Sequence, residues 1–277
     1  MKSFENKVAA ITGAGSGMGR TLAIRLAQQK CHLALSDVNE AGLAETVQLV
    51  AQAGVKVTSS KVNVAAREEV YAWAEEVVRD HGKVNLIFNN AGVALGATVE
   101  GASYEELEWI TNINFWGVVY GTKAFLPHLK ASGDGHIINT SSVFGLVGIP
   151  SQSAYNATKF AVRGFTESLR QELELARCGV SATSVHPGGI KTNIARAARM
   201  NKSIREIGLD DQRGSEKFEK LFITTADSAA MTILKAVRRD KRRVLVGPDA
   251  YLIDLLVRLF PSGYQSLTTY FARKSMK

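Results

Sequence analysis

The chain has 277 residues, 45% of them hydrophobic, which is ample for the core of one large α/β unit. No uncharged apolar stretch reaches the ~18 residues of a transmembrane span, and two cysteines, Cys31 and Cys178, make no disulfide framework. The net charge of +8 is uneven: residues 1–190 hold 16 basic and 17 acidic side chains, residues 191–277 hold 18 and 9.

The first element is an apolar strand, Val8-Ala9-Ala10-Ile11, which runs into Thr12-Gly13-Ala14-Gly15-Ser16-Gly17-Met18-Gly19. A helical pattern follows from Arg20 to Gln29, with Leu22, Ala23 and Leu26 on one face. Strand, glycine-rich turn and helix N-terminus form a pyrophosphate site. The glycines let the backbone approach the phosphates, and the helix end supplies free N–H groups and a positive dipole. The spacing is G-x-x-x-G-x-G rather than the general G-x-G-x-x-G, and tight turns also use glycine.

A second strand, residues 31–36, ends in Asp37, 18 residues after Gly19, near the distance expected of a ribose 2′-hydroxyl ligand. Helix capping is the other use for Asp37, a job for which Asn39 is equally placed. A carboxylate repels a 2′-phosphate and no arginine or lysine adjoins it in sequence, so NAD is favoured over NADP.

Further strands are expected near 55–61, 84–88, 135–141, 180–186 and 243–247, with helices between them. The alternation predicts a Rossmann-type, doubly wound α/β fold: a seven-stranded parallel sheet with helices on both faces. Long helices fall near 104–131 and 153–177. The second carries Tyr155-Asn156-Ala157-Thr158-Lys159, and Ser142 lies 13 residues before the tyrosine. Tyrosine and lysine four apart share a helix face, and a lysine charge beside a phenol favours the phenolate. Bringing a phenol from pKa ~10 toward ~7 takes roughly 4 kcal/mol of differential stabilisation. A serine hydroxyl at the same spot can hold a carbonyl or alcohol oxygen, so the set can exchange a proton with an alcohol or ketone. Alone, Tyr-x-x-x-Lys also describes a half-buried tyrosine and a snorkelling lysine on any amphipathic helix. The cofactor site is what distinguishes it here.

With these residues in place, the chain resembles the short-chain dehydrogenase/reductase family, in its single-domain branch, over residues 7–192. Thr12 to Gly19 match its T-G-x-x-x-G-x-G, and Asn89-Asn90-Ala91-Gly92 its N-N-A-G. Asn114 with Gly117 matches its N-x-x-G, Ile138 to Ser142 its serine segment, and Pro187-Gly188 with Thr192 its P-G-x-x-x-T. The resemblance implies an oxidoreductase with Asn114, Ser142, Tyr155 and Lys159 as the catalytic residues. Tyr155 would be the acid/base, Lys159 would lower its pKa and hold the nicotinamide ribose, Ser142 would position the substrate oxygen, and Asn114 would hold a water. It also implies cofactor contacts from Gly13, Gly15, Ser16, Gly17, Met18, Gly19, Asp37, Asn63, Val64, Asn90, Ala91, Gly92, Tyr155, Lys159, Pro187, Gly188, Ile190 and Thr192. Asn63-Val64 stands where the family usually has Asp-Val; an asparagine carbonyl can still accept from the adenine amino group, with a weaker grip. A homodimer or homotetramer packed through the two long helices is implied as well.

The five histidines show no metal-ligand spacing, and His186 is read as a packing residue at a strand end. Residues 192–223 fall where the family places a substrate lid, with Ile194, Met200, Ile204 and Ile207 set among charged residues. The loop after Ser142 carries Phe144, Leu146, Val147 and Ile149, which either line a pocket or pack beneath the loop. Phe144, Ile149 and Ile194 are the candidate substrate contacts, and they suggest an apolar alcohol or ketone. Residues 250–277 form an amphipathic extension broken at Pro261-Ser262-Gly263, suited to a subunit interface, pocket closure or peripheral membrane contact. The basic run Arg238 to Arg243 reads as a solvated helix end; an acyl carrier or an anionic membrane are sharper readings, and nucleic acid is disfavoured for want of interleaved aromatics. The N-terminus has no signal-peptide core, so a cytoplasmic single domain is expected. Two other functions remain: an NADPH-dependent reductase of acyl or β-keto substrates, and a non-catalytic dinucleotide sensor. A sensor has no need of the complete Asn114, Ser142, Tyr155 and Lys159 set.

Overall fold

The computed structural model describes residues 1–209 and 222–275. Strands β1 (Val8–Thr12), β2 (His32–Asp37), β3 (Val57–Lys61), β4 (Leu86–Asn89), β5 (Gly135–Thr140), β6 (Val180–Pro187) and β7 (Arg243–Val246) form a seven-stranded sheet. Every pairing is parallel, and the spatial order is β7-β6-β5-β4-β1-β2-β3. The chain builds outward from β1 to β3, then returns to lay β4 on the other side of β1. That reversal opens a crevice beyond the carboxyl ends of β1 and β4, where doubly wound sheets bind their ligands.

Strands β1, β2 and β4 are largely apolar on both faces because both faces are covered. Along β1, Ala9 and Ile11 pack into one layer with Leu22 and Leu26 of α1 (Gly17–Gln28) and with Ile233 and Val237 of α7 (Ala226–Arg238). Val8 and Ala10 point the other way, toward Trp73 of α3 (Arg67–His81), Phe125 of α5 (Gly117–Ala131) and Leu173 of α6 (Ser153–Ala176). Trp73 and Phe125 meet edge to face at 5.1 Å between ring centroids, joining α3 to α5.

Strand ends fall within two residues of the sequence reading. Helix α1 begins at Gly17 rather than Arg20, since the glycine-rich segment itself forms its first turn. Asn39 caps α2 (Glu40–Val50) by accepting from the Gly42 N–H at 3.1 Å, so Asp37 is not the cap. The long helix expected over 104–131 is α4 (Tyr104–Thr111) and α5 joined through a π-helical turn, Asn112–Trp116.

Within the segment 192–223, residues 210–221 lie outside the described residues. The described part lays Arg199–Met200 in parallel on Leu95–Gly96, then winds a short 3-10 helix, Lys202–Ile207, that buries Ile204. Its Ile194 and Ile207 stay exposed. The chain after β7 forms two helices, α8 (Pro248–Leu259) and α9 (Tyr264–Ser275), broken at Pro261-Ser262-Gly263 as the sequence predicts.

Candidate active site

The β1–α1 turn is built for close approach. Gly13 and Gly17 hold φ values of +66° and +51°, and a Cβ on Gly19 would stand 2.1 Å from the Gly13 carbonyl oxygen. Ser16 occupies the N-cap of α1 without a side-chain cap bond, and no acidic residue sits in the first turn. The positive end of the α1 dipole is therefore left for an anion. Thr12 braces the turn from below: its hydroxyl accepts from the Asn90 and Ala91 N–H groups, each at 3.0 Å. The Asn90 side chain donates to the Thr12 and Gly13 carbonyls, while its Oδ1 is buried without a partner among the described residues.

Asp37, at the end of β2, accepts from the Gly15 N–H at 2.8 Å and from the Asn39 N–H at 2.9 Å. Its carboxylate thus fixes the turn while keeping lone pairs for a further donor. One basic residue does come alongside, from another strand: Lys61 is the register partner of Asp37, and its ammonium pairs with Glu40 at 2.8 Å. Sequence adjacency could not reveal that neighbour. Arg20 is another contributor the sequence reading missed. Its guanidinium donates to the Gly15 and Gly42 carbonyls and pairs with Glu45, tying the turn to α2. Asn63 spends its side-chain oxygen on the Ala65 N–H at 3.0 Å, which competes with the expected adenine contact; Val64 is buried against Gly117.

On the other side of the crevice, Pro187 ends β6 and the chain turns through Gly188-Gly189 into Ile190. Asp249 of α8 accepts from the Gly189 N–H at 2.6 Å, and a Cβ on Gly188 would meet the same carboxylate at 2.1 Å. Asp249 is a support that the sequence reading missed. Thr192 follows and lies against Gly17, 3.2 Å from where a Cβ would be. The two glycine turns therefore face one another.

Ser142, Tyr155 and Lys159 meet beside this crevice. The Ser142 hydroxyl accepts from the Phe144 N–H at 3.1 Å and also engages the Tyr155 phenol. The rings of Phe144 and Tyr155 meet edge to face at 6.0 Å, and Tyr155 packs into a cluster with Val93, Trp109 and Ala154. The Lys159 ammonium is buried, donates to the Thr140 carbonyl at 3.1 Å, and stands 5.6 Å from the Tyr155 ring centroid. Gly92 lies between Lys159 and Asn114, its missing Cβ 3.5 Å from the Lys159 Nζ and 3.2 Å from the Asn114 Oδ1.

Asn114 sits in the π turn, fully buried. Its side chain accepts from the Val93 N–H at 2.8 Å and donates to the Val93 carbonyl at 2.9 Å and the Thr158 hydroxyl at 3.3 Å. That side chain braces the backbone beside Gly92. Burial pushes the Tyr155 phenol up to about 12, with the Ser142 hydrogen bond pulling the other way. Burial pulls the Lys159 ammonium down to about 8. Desolvation is the largest influence on both groups, and the Ser142 hydrogen bond pulls the phenol back down.

Of the candidate substrate contacts, Phe144 faces Tyr155 and Ile194 is 37% exposed. Ile149 is half-buried, its N–H held by the Asn156 side chain at 3.1 Å. Leu146 packs with Val143, Leu245 and Ala250, so for that residue packing is the right reading.

Residues 7–203 match the family model described as short chain dehydrogenase, and the chain belongs to that family of oxidoreductases. A protein of Mycobacterium tuberculosis named as an oxidoreductase, SadH, is 51% identical over 268 residues, covering 96% of this chain and 95% of its own. The cyclohexanol dehydrogenase of an Acinetobacter strain is 40% identical over 191 residues, 68% of this chain and 75% of that one. Among solved structures, a short-chain dehydrogenase/reductase from Burkholderia phymatum in complex with NAD superposes with a TM-score of 0.87 at 32% identity, covering 94% of this chain and 96% of that one.

Proposed function

We propose that this chain is an NAD-dependent dehydrogenase/reductase of apolar secondary alcohols and ketones, with Tyr155 as the proton-transferring group. The observation that carries the reading is the convergence of the Ser142 hydroxyl, the Tyr155 phenol and the Lys159 ammonium on one crevice. The residues around the crevice suit a dinucleotide: an uncapped helix N-terminus, an unpartnered Asn90 oxygen, close-approach glycines and a carboxylate at the end of β2. Gly13 to Gly19 would hold the pyrophosphate, Asp37 the adenosine ribose, Asn63, Val64 and Asn90 to Gly92 the adenosine side, and Pro187 to Thr192 with Lys159 the nicotinamide side. NAD, when bound, supplies the hydride acceptor or donor.

The chain's own residues handle the proton and the orientation. Ser142 holds the substrate oxygen next to Tyr155. A phenol kept protonated by burial is a ready donor to a developing alkoxide, which suits carbonyl reduction near neutral pH. Oxidation needs the phenolate, whose population rises as the pH climbs toward about 12. Phe144, Ile149 and Ile194 give the substrate side an apolar lining, and the likeness to a dehydrogenase named for cyclohexanol, a cyclic secondary alcohol, supports that class. The whole chain acts as one domain, with 192–223 as lid and 250–277 as extension. Subunits pair across the α4–α5 run and α6, where Trp116, Phe160 and Leu175 are exposed.

The test is a panel of secondary alcohols and ketones, run with NAD(H) and NADP(H) and followed by nicotinamide absorbance, on the parent chain and Tyr155→Phe. The expected result is turnover with NAD(H), lowered at least ~10²-fold in the variant, with NADH binding retained. Variant turnover within a few-fold of the parent sinks the assignment. A second reading, an NADPH-dependent reductase of acyl or β-keto substrates, is favoured by Lys61 beside Asp37; turnover confined to NADP(H) selects it.

A further inference from the structure

Helices α8 and α9 form an unusual surface. Of their side chains, Ala250 and Tyr264 are buried, while Tyr251, Leu252, Leu255, Leu259, Leu267, Tyr270 and Phe271 are 40–69% exposed. Leu252, Leu255 and Leu259 recur at helical spacing on α8, and Leu267, Tyr270 and Phe271 do so on α9. Phe260, at the break between the helices, is 56% exposed and continues the apolar surface.

Charge separates the candidate occupants. From Leu255 to Lys277 the sequence holds no acidic residue and four basic ones, Arg258, Arg273, Lys274 and Lys277. The two acidic residues earlier in α8 are turned inward: Asp249 holds the Gly189 N–H, and Asp254, 16% exposed, pairs with Arg243 at 2.7 Å and Arg258 at 3.0 Å. A second copy docking face to face would bring two basic, apolar surfaces together without counter-charge. An anionic lipid surface supplies that charge and takes up aromatic and leucine side chains at its interface.

We propose that the α8–α9 extension docks this protein on anionic lipid bilayers, with its leucine and aromatic stripes in the interface and Arg273 at the headgroups. Neither helix is long enough to cross a bilayer, so the contact is peripheral. The extension also packs on the loop after Ser142: the Tyr264 hydroxyl accepts from the Gly148 N–H at 3.2 Å, and Ala250 and Ile253 pack with Val143 and Phe144. Docking would set the mouth of the crevice beside the acyl region of the bilayer. The inference does not rest on the enzymatic reading, because vesicle binding needs no turnover.

The experiment is co-sedimentation of the full chain with phosphatidylglycerol/phosphatidylcholine vesicles and with pure phosphatidylcholine vesicles, alongside mass measurement in solution. The full chain is expected to bind the anionic vesicles at least tenfold more tightly than the neutral ones, with affinity falling as salt is added. Leu252→Glu/Leu255→Glu should lose at least tenfold in vesicle binding with the molecular mass unchanged. Arg273→Glu, which disturbs no described packing, should lose about fivefold or more, as one basic side chain near such a surface is worth ~1 kcal/mol. Equal binding to both vesicle types, or none, overturns the proposal. A drop in mass for the double variant with vesicle binding retained also overturns it, and gives the face to a second copy of the chain.

Discussion

His186 holds Ser142 through its backbone. Its Nδ1 lies 3.0 Å from the Ser142 carbonyl, which can only accept, so the proton sits on Nδ1 and Nε2 accepts from the Ser184 hydroxyl at 2.9 Å. The ring is fully buried, and burial pulls its pKa down to about 4, which keeps it neutral. His186 is thus a positioning residue: His186→Ala should lower kcat about tenfold, the effect of losing roughly one buried hydrogen bond, with KM within about twofold. Unchanged kcat, or a fall that tracks lost stability alone, would return the residue to packing. Asp37 makes a second case. Asp37→Asn keeps an acceptor for the Gly15 N–H but removes the charge that repels a 2′-phosphate. The ratio of NADP to NAD affinity should rise at least ~10-fold, about 1.4 kcal/mol, as read by cofactor fluorescence titration. The sequence made Asp37 legible because its spacing from Gly19 is local. His186, Arg20 and Asp249 were not legible as supports, because each acts on backbone brought to it by a different element.

At the scale of elements, the sheet could be read ahead of the structure because two covered faces impose apolar runs on strands β1, β2 and β4. The π turn at Asn112–Trp116 could not, since a single extra residue in a helical turn leaves the 3.6-residue pattern almost untouched. The buried polar chain was equally silent. Asn89 donates to Thr122 at 3.2 Å and to Asn139 at 2.8 Å, and Asn139 donates to Thr166 at 3.0 Å, linking β4 and β5 to α5 and α6. These asparagines read as motif members in sequence, while their partners lie 27 to 50 residues away. The glycine turn gives the clearest element-scale prediction. A Cβ on Gly19 would collide with the Gly13 carbonyl, so Gly19→Ala must shift the β1–α1 turn. The expected cost is about 1–3 kcal/mol in denaturant unfolding, with a larger proportional loss of dinucleotide binding. A variant that binds NADH like the parent would mean the turn relaxes without harm.

For the whole molecule, the buried histidines set the acid limit. His136 lies in β5 with its Nε2 2.7 Å from the Thr183 hydroxyl, and burial pulls its pKa, like that of His186, down to about 4. Between pH ~6.5 and ~4 the unfolded chain takes up protons that the folded one refuses. The stability these groups confer is therefore complete above about pH 6.5 and is lost as pH falls toward about 4, on the order of 3 kcal/mol for each ring. Denaturant midpoints measured across that range should fall steeply for the parent and less so for His136→Gln. Equal slopes would place acid sensitivity elsewhere. On the alkaline side, alcohol oxidation should quicken from about pH 7 to about pH 8, as the Tyr155 phenolate becomes available and before the Lys159 ammonium is lost, while ketone reduction does not. An oxidation rate that declines over that span would contradict the acid/base role.

The α8–α9 extension touches two loops on one side of the crevice. Through Tyr264 it holds Gly148, on the loop that follows Ser142; through Asp249 it holds Gly189, in the turn that faces the β1–α1 glycines. Two anchors on neighbouring loops make it a brace, and a brace carries load in both directions. Any outside grip that changes how readily the crevice takes its dinucleotide is itself changed by a filled crevice, and by the same factor.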